Sequence, residues 1–240
     1  MTRIDVAGAT DRGTVRRENQ DAWRTWVSGD GGRAVLLVAD GMGGHADGGL
    51  VAWLAVDRAE STLAGAADPG AALREAVDAA DLAVAGHRDS HGGRMAGTTL
   101  VAAVVDAGGA VRIANVGDSR AYRIGEGGAV QLTLDHSLSA EEARAGNPRA
   151  AGLNRNVVTR AITGERAAPD LFETALGPGE VLALCSDGVW DALDDATLAR
   201  LLGGGGGAGL GEAVRAACDA AIAAGSTDNV TVVAARLLPD

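Results

Sequence analysis

The chain has 240 residues, 47% of them apolar and only 2% aromatic, so one domain with a core of Ala, Val and Leu is affordable at this length. A net charge of −11, from 21 Lys and Arg against 32 Asp and Glu, argues against a nucleic-acid binder, which would carry a basic face. Two cysteines are too few for a disulfide scaffold, and no apolar run approaches the ~20 residues of a membrane span, so a cytoplasmic protein without membrane contact is expected.

In chain order, the first clear apolar run is 35–39, strand-length and rich in Val and Leu. Two helical patterns follow, one with a stripe of Leu50, Trp53, Leu54 and Leu63, the next with Leu73, Ala76, Val77, Ala80 and Val84. Strands are then predicted over 100–105 and 111–116, joined by a tight hairpin at Gly108-Gly109. Val116-Gly117-Asp118-Ser119 reads as a second turn, leading into a strand over 120–124. A further strand covers 181–185, with Cys185 inside it. The glycine run 203–207 lacks the Lys-Ser/Thr ending of a phosphate loop and reads as a flexible connector. The strongest helical stripe comes next (Leu210, Ala213, Val214, Ala217, Cys218, Ala221 and Ile222), and the last strand is 230–235. Both cysteines read as core residues. Hairpins combined with paired helices predict an α+β fold with antiparallel sheets rather than alternating βαβ units.

The informative pattern is an aspartate at the end of an apolar strand. Asp40-Gly41, Asp118-Ser119 and Asp187-Gly188 each follow one, Asp228-Asn229 precedes one, and Asp21 stands before a predicted strand containing Trp23 and Trp26. A carboxylate beside a buried strand is costly unless paired or metal-bound. Strand ends point in fixed directions, so these acids are able to converge, and a converged set of like charges needs a cation. All-oxygen ligands suit Mg²⁺, Mn²⁺ or Ca²⁺ rather than Zn²⁺. Asp-Gly is also a common turn pair, and composition and spacing alone leave ligand and turn readings balanced.

At these residues the sequence resembles the protein phosphatase type 2C family, the metal-dependent serine/threonine phosphatases, in its compact bacterial form. The resemblance rests on the segment from Thr10-Asp11-Arg12-Gly13 to Glu18-Asn19-Gln20-Asp21 and on Val38-Ala39-Asp40-Gly41-Met42-Gly43-Gly44-His45. Gly97-Thr98-Thr99, Asn115-Val116-Gly117-Asp118-Ser119-Arg120, Asp135-His136-Ser137 and Val158-Thr159-Arg160-Ala161 follow in order, then Cys185-Ser186-Asp187-Gly188 and Thr227-Asp228-Asn229-Val230-Thr231. It implies a four-layer αββα sandwich, two antiparallel β-sheets flanked by helix pairs, with residues 1–240 forming a single catalytic domain. It implies two Mg²⁺ or Mn²⁺ ions, one held by Asp40, Asp187 and Asp228, the other by Asp21, Asp40 and the carbonyl of Gly41, some contacts running through water. A weaker third ion is implied at Asp118 with Asp187, and Arg16 is the implied phosphate ligand.

The activity so implied is hydrolysis of phosphoserine and phosphothreonine in protein substrates by a hydroxide bridging the two ions, in a monomeric signalling enzyme opposing a serine/threonine kinase. Arg16 offers a planar fork for two phosphate oxygens. Met42 stands where eukaryotic members carry histidine; His45 is one candidate general acid for the leaving oxygen, and a metal-bound water is the other. His136 is expected to order a loop, while His87 and His91 read as exposed. The segment from Ser137 to Asn156 occupies the place of the bacterial flap and is shorter than usual. Two other functions compete, an inactive relative serving as a regulatory binding module and a hydrolase of small phosphate esters.

Overall fold

The computed structural model describes residues 3–43, 47–90, 96–154, 156–203 and 209–238. Strands β1 (Arg3–Asp11), β2 (Asp21–Val27) and β3 (Arg33–Met42) come first, then helices α1 (Asp47–Gly65) and α2 (Leu73–Ser90). The short β4 (Gly97–Thr98) precedes β5 (Leu100–Asp106), β6 (Ala110–Val116), β7 (Arg120–Gly125) and β8 (Gly128–Gln131). Helix α3 (Leu138–Arg144) is followed by β9 (Asp170–Ala175), β10 (Val181–Cys185), α4 (Asp187–Trp190), α5 (Asp195–Leu202), α6 (Leu210–Ala223) and β11 (Val230–Leu238).

One sheet runs β1-β11-β10-β7-β8 and the other β2-β3-β5-β6-β9, every pairing antiparallel, with β4 attached to β3. The continuous apolar runs follow from burial on both faces. In β3, Ala34, Leu36 and Val38 pack between the sheets, while Val35, Leu37 and Ala39 face α1 and α2. In β10, Leu182 and Leu184 point to the partner sheet, and Val181, Ala183 and Cys185 point to α5 and α6. The period of two along a strand thus feeds two cores at once. Each fully buried Val or Leu contributes about 1.5–3 kcal/mol. The layer order is αββα, as the resemblance implied.

Both cysteines are fully buried, and the stripes of α2 and α6 face the core. The stripe read for α1 is corrected. Gly48, Val51, Ala52, Ala55, Val56, Ala59 and Leu63 face the sheet, whereas Leu50 and Trp53 face outward. Small side chains let this helix approach the sheet closely, and Trp53 instead stacks under Arg24, whose Cζ lies 4.4 Å from the ring centroid. The hairpin turn forms as read, with Gly109 at φ +87° and its N–H donating to Asp106 O at 2.9 Å. His87 lies in the last turn of α2 and is partly buried rather than exposed. His91 and most of the glycine run lie outside the described residues.

Candidate active site

Strand register brings the aspartates to one end of the sandwich. Asp21, the first residue of β2, is paired across the ladder with Asp40 near the end of β3. Asp187 follows β10 after one residue, and Asp228 stands two residues before β11, the neighbouring strand. Asp118 occupies the turn where the chain passes from β6 in one sheet to β7 in the other. A cavity of about 350 Å³ opens there, lined by Asp40, Gly41, Asp118, Asp187, Asp228 and Arg16.

Backbone and hydroxyl contacts fix the acids. The Asp40 N–H donates to Thr99 Oγ1 at 2.9 Å, and the Asp40 carbonyl accepts from Thr99 N–H and Thr98 Oγ1, each at 2.9 Å. Gly41 packs so closely that a Cβ would fall 2.2 Å from Gly48 O, so only glycine fits behind Asp40. Asp21 is buried, and its Oδ2 accepts from Ser186 Oγ at 2.8 Å and Thr231 Oγ1 at 2.5 Å. Asn229 staples the loop that carries Arg16. Its Nδ2 donates to Arg12 O and Glu18 O at 2.9 Å, and its Oδ1 accepts from Gln20 N–H at 2.8 Å.

The electrostatics are those of crowded, desolvated acids. Burial pushes Asp21 up to about 7, with the hydroxyls of Thr231 and Ser186 and the charges of Asp187 and Asp228 as smaller influences. Asp40 is raised well above the ordinary carboxylate range, first by burial and then by the charges of Asp21, Asp187, Asp228 and Asp118. Asp187 rises to about 6 through burial and Asp228, against a hydrogen bond with Asp40. Asp118 rises to about 7 through burial and Asp187. Asp21 Oδ1 and Asp187 Oδ1 are buried without a hydrogen-bond partner. Unpaired carboxylate oxygens at and behind a polar cavity, all-oxygen donors and mutual repulsion fit a hard divalent cation. Among the described residues no three Asp, Glu, His or Cys side chains are placed so that they could hold a metal ion together. Asp40, Asp118, Asp187 and Asp228 share one cavity, Asp21 is buried behind Asp40, and drawing these acids tightly together without a cation would cost Coulomb energy.

Arg16 lies at the rim, half-exposed, its Nη2 2.5 Å from Asp228 Oδ2. His45 lies outside the described residues. His136 is 1% exposed, and burial holds its pKa below the usual histidine range. The supporting roles of Ser186, Thr231, Thr99 and Asn229 were missed by sequence reasoning. Their one signal was that each hydroxyl or amide stands inside a motif of the resemblance, while its partner lies far away in sequence.

The fold and this acidic cavity define a class of hydrolase that acts at phosphate esters. A family model described as protein phosphatase 2C matches residues 12–204. The chain belongs to the protein phosphatase 2C family. The serine/threonine phosphatase Stp of Listeria innocua is 32% identical over 205 residues, covering 80% of this chain and 81% of that protein. The serine/threonine protein phosphatase PstP of Mycobacterium tuberculosis is 32% identical over 99% of this chain, which spans 46% of that protein's length. Among solved structures, the catalytic domain of PstP in complex with two manganese ions matches with a TM-score of 0.85, 29% identity and full coverage of both chains. Stp1 of Staphylococcus aureus matches with a TM-score of 0.87 and 29% identity, over 98% of this chain and 96% of that one.

Proposed function

We propose that this protein serine/threonine phosphatase hydrolyses phosphoserine and phosphothreonine in protein substrates at an aspartate-held pair of divalent ions, with residues 1–240 forming one catalytic domain. Asp40, Asp187 and Asp228 would hold one ion, and Asp21, Asp40 and the Gly41 carbonyl the other, in part through water. Asp118 and Asp187 would hold a weaker third. When bound, the ions supply a water acidic enough to attack phosphorus near neutral pH and offset charge on the phosphoryl oxygens.

The chain's own groups do the rest. Asp40 lies between the two halves of the acidic set, which suits it to serve both ions. The Arg16 guanidinium offers two parallel N–H donors, and a phosphate dianion would take it from Asp228, placing phosphorus over the cavity. His45 is proposed to protonate the leaving oxygen. Mn²⁺ is the first ion to test, because the PstP neighbour carries manganese. An opposing protein kinase is part of the same reading, since such an enzyme acts only where one has placed the phosphate.

The observation that carries the proposal is the convergence of Asp40, Asp118, Asp187 and Asp228 on one cavity, with buried, unpartnered carboxylate oxygens on Asp187 and on Asp21, the ladder partner of Asp40. The test is Mn²⁺-dependent hydrolysis of p-nitrophenyl phosphate and of a phosphothreonine peptide. Hydrolysis that needs the metal and disappears in Asp40→Asn supports it, and activity surviving that substitution sinks it. Preference for small phosphorylated metabolites over the peptide would favour the small-ester reading instead.

A further inference from the structure

We propose that His136 is a positioning residue that aims Asp118 into the cavity by gripping the peptide groups on both sides of Gly117. This rests on the reading of Asp118 as a cation ligand.

Gly117 has φ +109°, and a Cβ there would fall 2.5 Å from Thr99 Cγ2, so the turn requires glycine, whose backbone is intrinsically loose. Its N–H donates to His136 Nδ1 at 3.0 Å, and its carbonyl accepts from the His136 backbone N–H at 3.0 Å. One residue therefore holds the peptide plane entering Gly117 and the plane leaving it. The second plane carries the nitrogen of Asp118. Asn115 Nδ2 adds a longer bond of 3.2 Å to the same carbonyl.

The ring's own orientation is determined from behind. Because Nδ1 accepts, the ring proton is on Nε2, which faces Asp170 Oδ2 at 3.1 Å. Arg160 Nη1 donates to the other oxygen, Asp170 Oδ1, at 2.7 Å. Burial alone would raise Asp170, but the bonds from Arg160 and His136 bring it below the usual carboxylate range, so it is an anion that accepts from both. Asp170 opens β9 opposite Asn115 on β6, so the whole strut is anchored in the sheet that delivers Asp118. The arrangement has the form of an outer-shell partner orienting a ligand, with the glycine backbone as the lever.

Two substitutions separate this role from plain core packing. His136→Asn places a side-chain oxygen near the position of Nδ1 and keeps the acceptor for Gly117, but loses the donor to Asp170. His136→Gln reaches Asp170 and leaves the Gly117 N–H without its acceptor. The readouts are hydrogen exchange at the Gly117 amide, Mn²⁺ binding by calorimetry and thermal stability. The expected result is near-native Gly117 protection and Mn²⁺ binding in His136→Asn. In His136→Gln, exchange at Gly117 should be on the order of 10-fold faster and the weakest Mn²⁺ event about 10-fold weaker or more. Equal effects of the two substitutions, tracking only the loss of stability, would overturn the proposal. Imidazole nitrogen NMR of the unaltered protein tests the strut without any folding defect: a proton on Nε2 supports it, and one on Nδ1 ends it. Asp118→Asn tests the underlying reading separately. If it leaves Mn²⁺ binding unchanged, Asp118 is no ligand, while Gly117 exchange in the His136 variants still decides who holds the turn.

Discussion

Asp21 shows the cost at which this site is built. Its carboxylate is 3% exposed, one oxygen satisfied by two hydroxyls and the other by nothing in the chain. A neutral amide of the same shape removes the charge and keeps an acceptor for Ser186 and Thr231. Asp21→Asn should therefore raise the stability of the metal-free protein by about 1–3 kcal/mol, read by chemical denaturation in a chelator, while weakening Mn²⁺ activation. A loss of stability without metal would mean that Asp21 is an ordinary structural acid. Arg16 makes a second residue-scale prediction. Its partner Asp228 is only one of its uses, so Arg16→Ala should raise KM for a phosphopeptide about 10-fold or more, with Arg16→Lys between the two. An unchanged KM would remove Arg16 from substrate binding.

At the scale of elements, what was legible depended on whether a segment's chemistry is local. The runs at 35–39, 100–105 and 181–185 are buried on both faces, so their strand character shows directly in unbroken apolar residues, mostly Val, Leu and Ala. Strand β1 escaped notice because Asp5, Gly8 and Thr10 interrupt it. Gly8 is there because the ring of Trp23 lies against it, where a Cβ would fall 2.3 Å away, and that contact cannot be seen in a single segment. The α1 stripe misled because Leu50 and Trp53 outrank Ala and Val in hydrophobicity while close packing favours the smaller side. The site was legible through its aspartates, and the resemblance supplied their grouping. The props were not, because a hydroxyl such as Thr231, 210 residues from Asp21, carries no local mark. Another prop joins α4 to the sheet. Arg120 forms a two-pronged pair with Asp135, at 2.9 and 2.7 Å, and lies over the Trp190 ring 3.5 Å from its centroid. Asp135→Ala should cost about 1.5–3 kcal/mol, because a partly buried guanidinium loses its two-pronged charged partner. Denaturant unfolding checks this, and a change below about 1 kcal/mol would show the pair to be dispensable.

For the molecule as a whole, the acidic cavity sets the response to pH. Asp21 and Asp118 are raised from 3.8 to about 7, and Asp187 to about 6. Between those limits the folded chain binds more protons than the unfolded chain, so stability falls as pH rises from about 4 to about 7. His136, held neutral by burial, acts in the opposite sense below its ordinary value of 6.5, but it is one group against several. In a chelator the melting temperature should therefore fall between pH 5 and pH 8, and Mn²⁺ should restore it at pH 8, since a cation replaces the missing protons. A melting temperature that rises across that range, or is indifferent to Mn²⁺, would contradict this electrostatic account. Among the described residues no helix is long and apolar enough to cross a membrane.

The proposed chemistry depends on whether divalent ions occupy the acidic cavity. The most direct measurement is anomalous scattering from Mn²⁺-soaked crystals of the protein. The account predicts two strong peaks in contact with Asp40, one shared with Asp187 and Asp228 and one with Asp21 and the Gly41 carbonyl. A cavity free of manganese, or peaks elsewhere on the surface, would contradict it.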